Sequence, residues 1–302
     1  MMQDRRLGAL ATPVEWPTVA LAIGCYALWA LALFAPLSLW AALPLAALAV
    51  AFHSSLCHEV IHGHPFASRA ANEALVWPAL CLVIPYGRFR DQHLAHHRNE
   101  YLTDPYDDPE SNYLDPGDWE RLPRPVQVLR RLNNTLAGRM ILGPILGQVC
   151  FMIGDWRAAR GPDGAAVRQA WGAHLPAALV VLAVVWIAPM PLWAYALAVW
   201  AGLGVVKIRT FLEHQAEVRA SGRTVIIEDR GPLALLFLNN NLHAVHHAHP
   251  RVPWYRLPRL YRANPARYLG RNGGYRYPSY AAIFRRYLWR AKDPVPHPLW
   301  RR

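Results

Sequence analysis

Fourteen histidines occur among the 302 residues, and eight of them are spaced as metal ligands are. His58 and His62 form an i, i+4 pair in His58-Glu59-Val60-Ile61-His62. His93, His96 and His97 follow i, i+3, i+4, and His243, His246 and His247 repeat that spacing. Residues three and four apart share one helix face, so each cluster can aim two or three imidazoles at one point. His214 stands alone between them. Imidazole binds zinc, copper, iron or nickel. Nine such ligands exceed what one ion can use. Divided over two ions they give four or five each, with a position left for an exogenous ligand. That is a dinuclear, redox-active arrangement rather than a structural one. Burying so many imidazoles without metal would be costly unless each were hydrogen-bonded.

The remaining histidines read differently. His53, His174 and His297 are isolated, and each is expected to be a surface or interfacial residue near a helix end. His64 and His249 sit beside clusters but off their spacing, so a supporting role behind the ligands is expected. On its own residues His214 too would be a non-ligand. The stretch His58-Glu59-x-x-His62 also matches the zinc-protease helix, in which Glu59 would be the base. A protease needs only one further ligand and has no use for two H-x-x-H-H clusters.

The elements that must position these residues are apolar helices. The chain is 54% hydrophobic and only 17% charged, too apolar for an ordinary soluble enzyme and too charged for a bare bundle of spans. A spanning helix needs roughly 20 mostly apolar residues. Four stretches qualify: 16–35, 37–56, 170–188 and 191–212. The turns at Pro36 and at Pro189-Met190-Pro191 are short and uncharged, so the spans pair as two hairpins. The net charge of +12 is carried almost wholly by arginine, and every long segment is arginine-rich. Positive loops stay inside, which places both termini, the Arg5-Arg6 pair and residues 57–169 in the cytoplasm. His58 and His62 then lie just past the second span and His214 past the fourth, so all nine histidines share one side.

The expected fold is all-α and integral to the membrane, a single domain over 1–302 with a helical cytoplasmic cap (57–169 and 213–302). The shorter apolar runs Ala74–Pro85 and Met140–Ile153 are expected to be interfacial or cap helices; a re-entrant pair is the alternative. The loop Thr103–Pro116 is acidic and proline-rich, and so an ordered turn rather than a helix. The tail Arg251–Arg302 interleaves twelve arginines with aromatics and has one acid, Asp293. That pattern suits an anionic membrane surface, and with four spans in the chain no nucleic-acid partner is expected. Cys25, Cys57, Cys81 and Cys150 are scattered through apolar stretches and suggest no disulfide framework. Met1–Pro13 lacks a signal-peptide pattern.

These features together resemble the membrane fatty acid desaturase superfamily, with its three histidine boxes, H-x3-4-H, H-x2-3-HH and H-x2-3-HH. The run His243-A-V-His246-His247-A-H-Pro250-R-V-Pro253-W-Y-R-Leu257-Pro258 is similar to the family's continuation of box three. The additional histidine that such proteins carry after the last span matches His214, and the resemblance assigns it as a ligand. It extends from the first span to about Pro258. Where some relatives have an Asn that acts through water, this chain has Thr210. Glu213-His214 resembles the pair of membrane alkane hydroxylases, and the P-W-Y-R-L-P run resembles carotenoid ketolases.

The resemblance implies two iron ions on His58, His62, His93, His96, His97, His214, His243, His246 and His247, with O2 as co-substrate. It implies desaturation of a fatty acyl or acyl-lipid chain, in lipid metabolism and fatty acid biosynthesis. Hydroxylation or ketolation of a lipid or carotenoid at the same centre is the alternative. Candidate carboxylates to orient the ligands are Glu59, Asp91, Glu100, Asp104 and Asp108. No fused redox module is evident, so electrons are expected from an external ferredoxin, rubredoxin or cytochrome b5-like carrier. A multi-pass protein of a bacterial inner membrane is expected. A membrane metal or haem transporter would instead place polar residues inside the spans, which are almost free of them apart from His53 and His174.

Overall fold

The computed structural model describes residues 14–162 and 164–300. Arg5, Arg6 and the rest of Met1–Pro13 lie outside the described residues.

Four helices are long and apolar enough to cross a membrane: α1 (Trp16–Phe34), α2 (Leu39–Ile61), and, further on, Gly164–Ile187 and Leu192–Thr210. Between them lie α3 (Tyr86–His96), α4 (Leu136–Ile141) and α5 (Gly143–Ala158). The last two spans are therefore α6 and α7, and α8 (His243–Ala248) follows. Helix α1 stops at Phe34 because Ala35 precedes Pro36 and is forced into an extended conformation. Exposed tryptophans stand at both ends of the apolar helices, Trp40, Trp186 and Trp193 at one and Trp16 at the other, as interfacial aromatics do.

The span boundaries differ from the sequence reading in two informative ways. Helix α2 continues to Ile61, so His58 lies inside the spanning helix and His62 is its C-terminal cap. Helix α6 begins at Gly164, which puts His174 within the helix rather than near its end; likewise His53 lies inside α2.

Helices α2 and α7 are the inner pair, half of each apolar window being buried against 28% for α1 and α6. Glycines of α7 permit close packing, Gly202 against α2 and Gly204 against α4. A Cβ on Gly202 would stand 2.6 Å from the Ala47 carbonyl oxygen, and one on Gly204 2.5 Å from that of Met140 on α4. The core between them is Ala46, Ala47, Val50, Ala194, Ala198 and Val199, with Val181 and Val185 from α6.

Residues 76–85 form no helix, contrary to the expectation for Ala74–Pro85. Pro78 and Pro85 interrupt the run, and Leu82 adopts φ 62°. The segment is held by its carbonyl groups. Tyr26 donates to Leu75 (2.6 Å), Tyr195 to Leu80 (2.8 Å), His174 Nε2 to Leu82 (2.8 Å) and Gln148 to Val83 (2.8 Å). Non-helical backbone among apolar helices is tolerated only when satisfied in this way. The run Met140–Ile153 is helical, divided between α4 and α5.

Beyond α7 the chain forms a two-stranded parallel sheet, β1 (Ile226–Ile227) beside β2 (Arg276–Tyr277). A second core packs Leu212, Val225, Ile227 and Phe237 against Tyr280, Ile283 and Tyr287 of the tail.

Candidate dinuclear metal centre

Each histidine reaches the centre by a distinct local device. His58 and His62 stand on the last turn and cap of α2. His93 and His96 lie on α3 with His97 as its cap. His243, His246 and His247 lie on α8, which is docked to β1 by Ala244 N donating to the Val225 carbonyl (2.9 Å). His214 lies past α7 in extended backbone. There Gln215 N donates to Arg223 O (2.9 Å) and Val225 N to Glu213 O (3.1 Å), and Lys292 Nζ donates to the His214 carbonyl.

The structure brings all nine together in two adjacent groups. His58, His62, His93, His97 and His246 form one, and His96, His214, His243 and His247 the other; within each, the ligand atoms lie within 4.8 Å of one another. Ring nitrogens face ring nitrogens. His62 Nε2 is 3.1 Å and His97 Nε2 3.0 Å from His93 Nε2. In the second group His214 Nε2 lies 2.9 Å from His96 Nε2 and 3.1 Å from His243 Nε2. His58 Nε2 is buried without a hydrogen-bond partner.

The far side of three rings explains why these nitrogens converge. His96 Nδ1 donates to Asp108 (2.7 Å), His93 Nδ1 to Glu110 (2.9 Å) and His243 Nδ1 to Asn240 Oδ1 (3.0 Å). Asn240 in turn donates to Glu213 (3.0 Å), which pairs with Arg209 at 3.1 Å in a buried contact. A neutral imidazole that donates through Nδ1 presents a lone pair at Nε2. Lone pairs facing one another at about 3 Å repel unless a cation lies between them. The donor set therefore fits a pair of metal ions with nitrogen preference.

Electrostatics points the same way. Burial, and then the charges of neighbouring histidines, lower His97 to about 3 and hold His62, His214, His243, His246 and His247 well below the ordinary imidazole range. These rings are kept neutral, as ligation requires. His96 is the exception. Burial lowers it, but Glu110 and the Asp108 hydrogen bond outweigh burial and lift it to about 9.

The chain matches the family described as Fatty acid desaturase over residues 34–279. It belongs to that family. The matched segment contains all nine histidines, and membership makes the protein an oxidoreductase with apolar membrane helices. No curated protein matches the chain significantly.

Among the carboxylates that sequence reasoning offered in this desaturase-family chain, only Asp108 touches a clustered histidine. Glu59 accepts from the Trp254 backbone (3.2 Å), Asp91 pairs with Arg90, and Asp104 accepts from the amides of Tyr106 and Asp107. Glu100 is exposed. Sequence reasoning missed Glu110, Asn240 and the role of Glu213. Glu110 lies two residues past Asp108 in the acidic loop, and Asn240 three residues before His243, in the turn that leads into α8. The isolated histidines lie outside both groups. His53 is near Cys57 Sγ (3.6 Å), His64 pairs with Glu15, His249 is 3.1 Å from the Tyr268 hydroxyl and His297 meets Thr103. His53, His174 and His297 are buried rather than at the surface. Thr210 lines a polar cavity of about 50 Å³ together with Glu110, Glu213 and His214.

Proposed function

We propose that this protein desaturates a fatty acyl or acyl-lipid chain with O2, at a di-iron centre held by the nine histidines. The observation that carries this reading is the pair of adjacent groups, five imidazoles and four, built where α2 ends and just past α7, with α3 and α8 supplying the rest. The first set is His58, His62, His93, His97 and His246; the second is His96, His214, His243 and His247. Iron bound there would supply O2-dependent oxidation of an unactivated C–H bond.

The protein's own residues do the rest. Asp108, Glu110 and Asn240 fix the tautomers of His96, His93 and His243 and aim each Nε2 inward. The spans, together with the buried Val76, Ala79 and Leu80, provide an apolar environment that limits water. Removing two hydrogens while reducing O2 to two waters takes two further electrons and two protons. An external ferredoxin, rubredoxin or cytochrome b5-like carrier supplies the electrons. In this reading the chain is one domain, two helical hairpins with a cytoplasmic cap, lying in a bacterial inner membrane.

The test is expression in a bacterial host and mass spectrometry of total lipid, with His246→Ala as control. Species lighter by two hydrogens, absent from the control, are expected. Species heavier by one oxygen would instead assign hydroxylation. Equal iron in both proteins would remove the ligand assignment.

A further inference from the structure

One open pocket approaches the histidine centre from the side away from the spans. It has a volume of about 260 Å³, and Ala220, Thr224, Ala244, His247, Tyr268 and Arg271 line it. None of its lining residues comes from the four apolar helices. Its floor is a proposed ligand. The His247 ring stacks on His97 of the other group at 4.2 Å and 16°, and lies 4.6 Å from the ring of His243 in its own group. A single imidazole thus joins the pocket to both metal positions.

The surroundings are predominantly basic. Arg271 forms part of the wall, Arg267 is exposed one turn earlier on the same helix, and Arg219 is exposed immediately before Ala220. No Asp or Glu occurs between residues 230 and 292. Glu217, in the adjoining segment, accepts from Val218 N (2.7 Å), and the three arginines outnumber it.

We infer that this pocket is where an acidic redox protein docks to pass electrons to the centre. The inference rests on the di-iron reading above. With iron bound, each encounter would oxidise the carrier's one-electron group and deliver one electron to the centre, and two encounters would serve each turnover. The arginines steer an anionic partner and set its orientation over His247. The apolar substrate is left to enter from the membrane side.

The experiment uses the full chain in lipid nanodiscs, iron-loaded and oxidised. A reduced plant-type [2Fe–2S] ferredoxin, which is acidic, serves as donor, and the reduced methyl viologen cation as a small donor of opposite charge. The variant R267E/R271E is compared with R285E/R286E, which makes the same charge change on two exposed arginines of another helix. At low ionic strength R267E/R271E should slow reduction by ferredoxin about tenfold or more. The other pair should slow it far less, and viologen should reduce all forms at least as fast as wild type. Unchanged ferredoxin kinetics in R267E/R271E, or equal slowing in both variants, would overturn the docking site while leaving the iron centre standing. Failure of every form to hold iron would remove the di-iron reading, and the docking site with it.

Discussion

His97 and His247 stack face to face, ring centroids 4.2 Å apart and planes 16° apart, although each belongs to a different histidine group. The stack binds the two groups into one centre, but they are unequal. His97 is one of five imidazoles, His247 one of four. Replacing His247 by alanine leaves three on its side. We expect His247→Ala to weaken iron binding at that group by more than the roughly 10–100-fold typical of losing an outer hydrogen-bond partner. His97→Ala, with four imidazoles remaining, should lose less. Metal analysis after equilibration with graded chelator distinguishes them, and equal losses would contradict the division into groups.

The carboxylates behind the rings should be separable from their neighbours. Asp108 accepts from His96 Nδ1 and also from the amides of Thr103 (2.8 Å) and Glu110 (2.9 Å), so it orders the loop and the ligand together. Thr103 is held at φ 71°, an uncommon conformation for a β-branched residue, by this same contact. Asp108→Asn should weaken iron binding about 10–100-fold. Glu100→Gln, on an exposed side chain of the same segment, should leave it unchanged. Iron titration of both variants is the check.

This contrast shows what the sequence made legible. Helical spacing placed His93, His96 and His97 on one short helix and His243, His246 and His247 on another, because three- and four-residue periodicity is local; it did not reveal that each trio is divided, His93, His97 and His246 going to one group and His96, His243 and His247 to the other. Apolar run length located all four spans within a few residues. The partners of the rings depended instead on loop paths. Glu110 reaches His93 only because Asp108 and Thr103 fold residues 103–110 back over α3, and Asn240 reaches His243 only because of the turn before α8. Run length failed at residues 76–85 for a related reason. An apolar segment interrupted by Pro78 and Pro85 was stabilised by side-chain donors from α1, α5, α6 and α7, which no local pattern reveals.

Stability should fall in acid. His97 stays neutral in the folded chain down to about 3, and five more ring histidines are held below their ordinary value. The unfolded chain takes up those protons as pH falls through about 6.5. Below that point it binds more protons than the native state, so folding free energy decreases. His96, raised to about 9, works in the opposite sense, stabilising the fold below about 6.5 and losing that contribution as pH rises through 9. His64, lowered by burial but raised on balance by its contact with Glu15, and Glu213, raised by burial, act in the same sense as His96, and the six lowered groups outweigh these three. The Tm of metal-free protein should drop steadily from pH 7 to pH 5, and iron retention should drop with it. A flat Tm across that window would show that the rings are not held neutral by the fold.

The ion pair of Arg209 with Glu213 is buried on both sides, 6% and 7% exposed, and stands behind Asn240 and His243. Removing one partner leaves the other charge buried and uncompensated, at a cost of about 3–5 kcal/mol. Arg209→Met should therefore lower Tm strongly and loosen iron at the four-histidine group. The double variant Arg209→Met, Glu213→Leu should recover much of the stability, because no lone charge remains. It should not recover the iron affinity, because Asn240 has lost the acceptor that orients its amide toward His243. Recovery of both would mean that Glu213 serves folding alone.

The separation of the two metal positions is set far from either of them. Helix α2 delivers His58 and His62, and α7 leads to His214, so the approach of these helices fixes how the boxes meet. The two helices approach closely at Gly202, where a Cβ would stand 2.6 Å from Ala47 O and 2.9 Å from Val50 Cβ. Both neighbours belong to the rigid interior of α2, and neither can move without shifting the helix. Gly202→Leu should cost about 1–3 kcal/mol through overpacking. It should also displace His58 and His62 relative to His214, lowering iron content even in protein that remains folded. Gly172→Leu is the matched control, since nothing lies within 4 Å of a Cβ at that exposed position of α6. If Gly202→Leu lowered Tm but left iron content at the wild-type level, the histidine groups would be positioned by the cap alone, and the α2–α7 contact would matter only for folding.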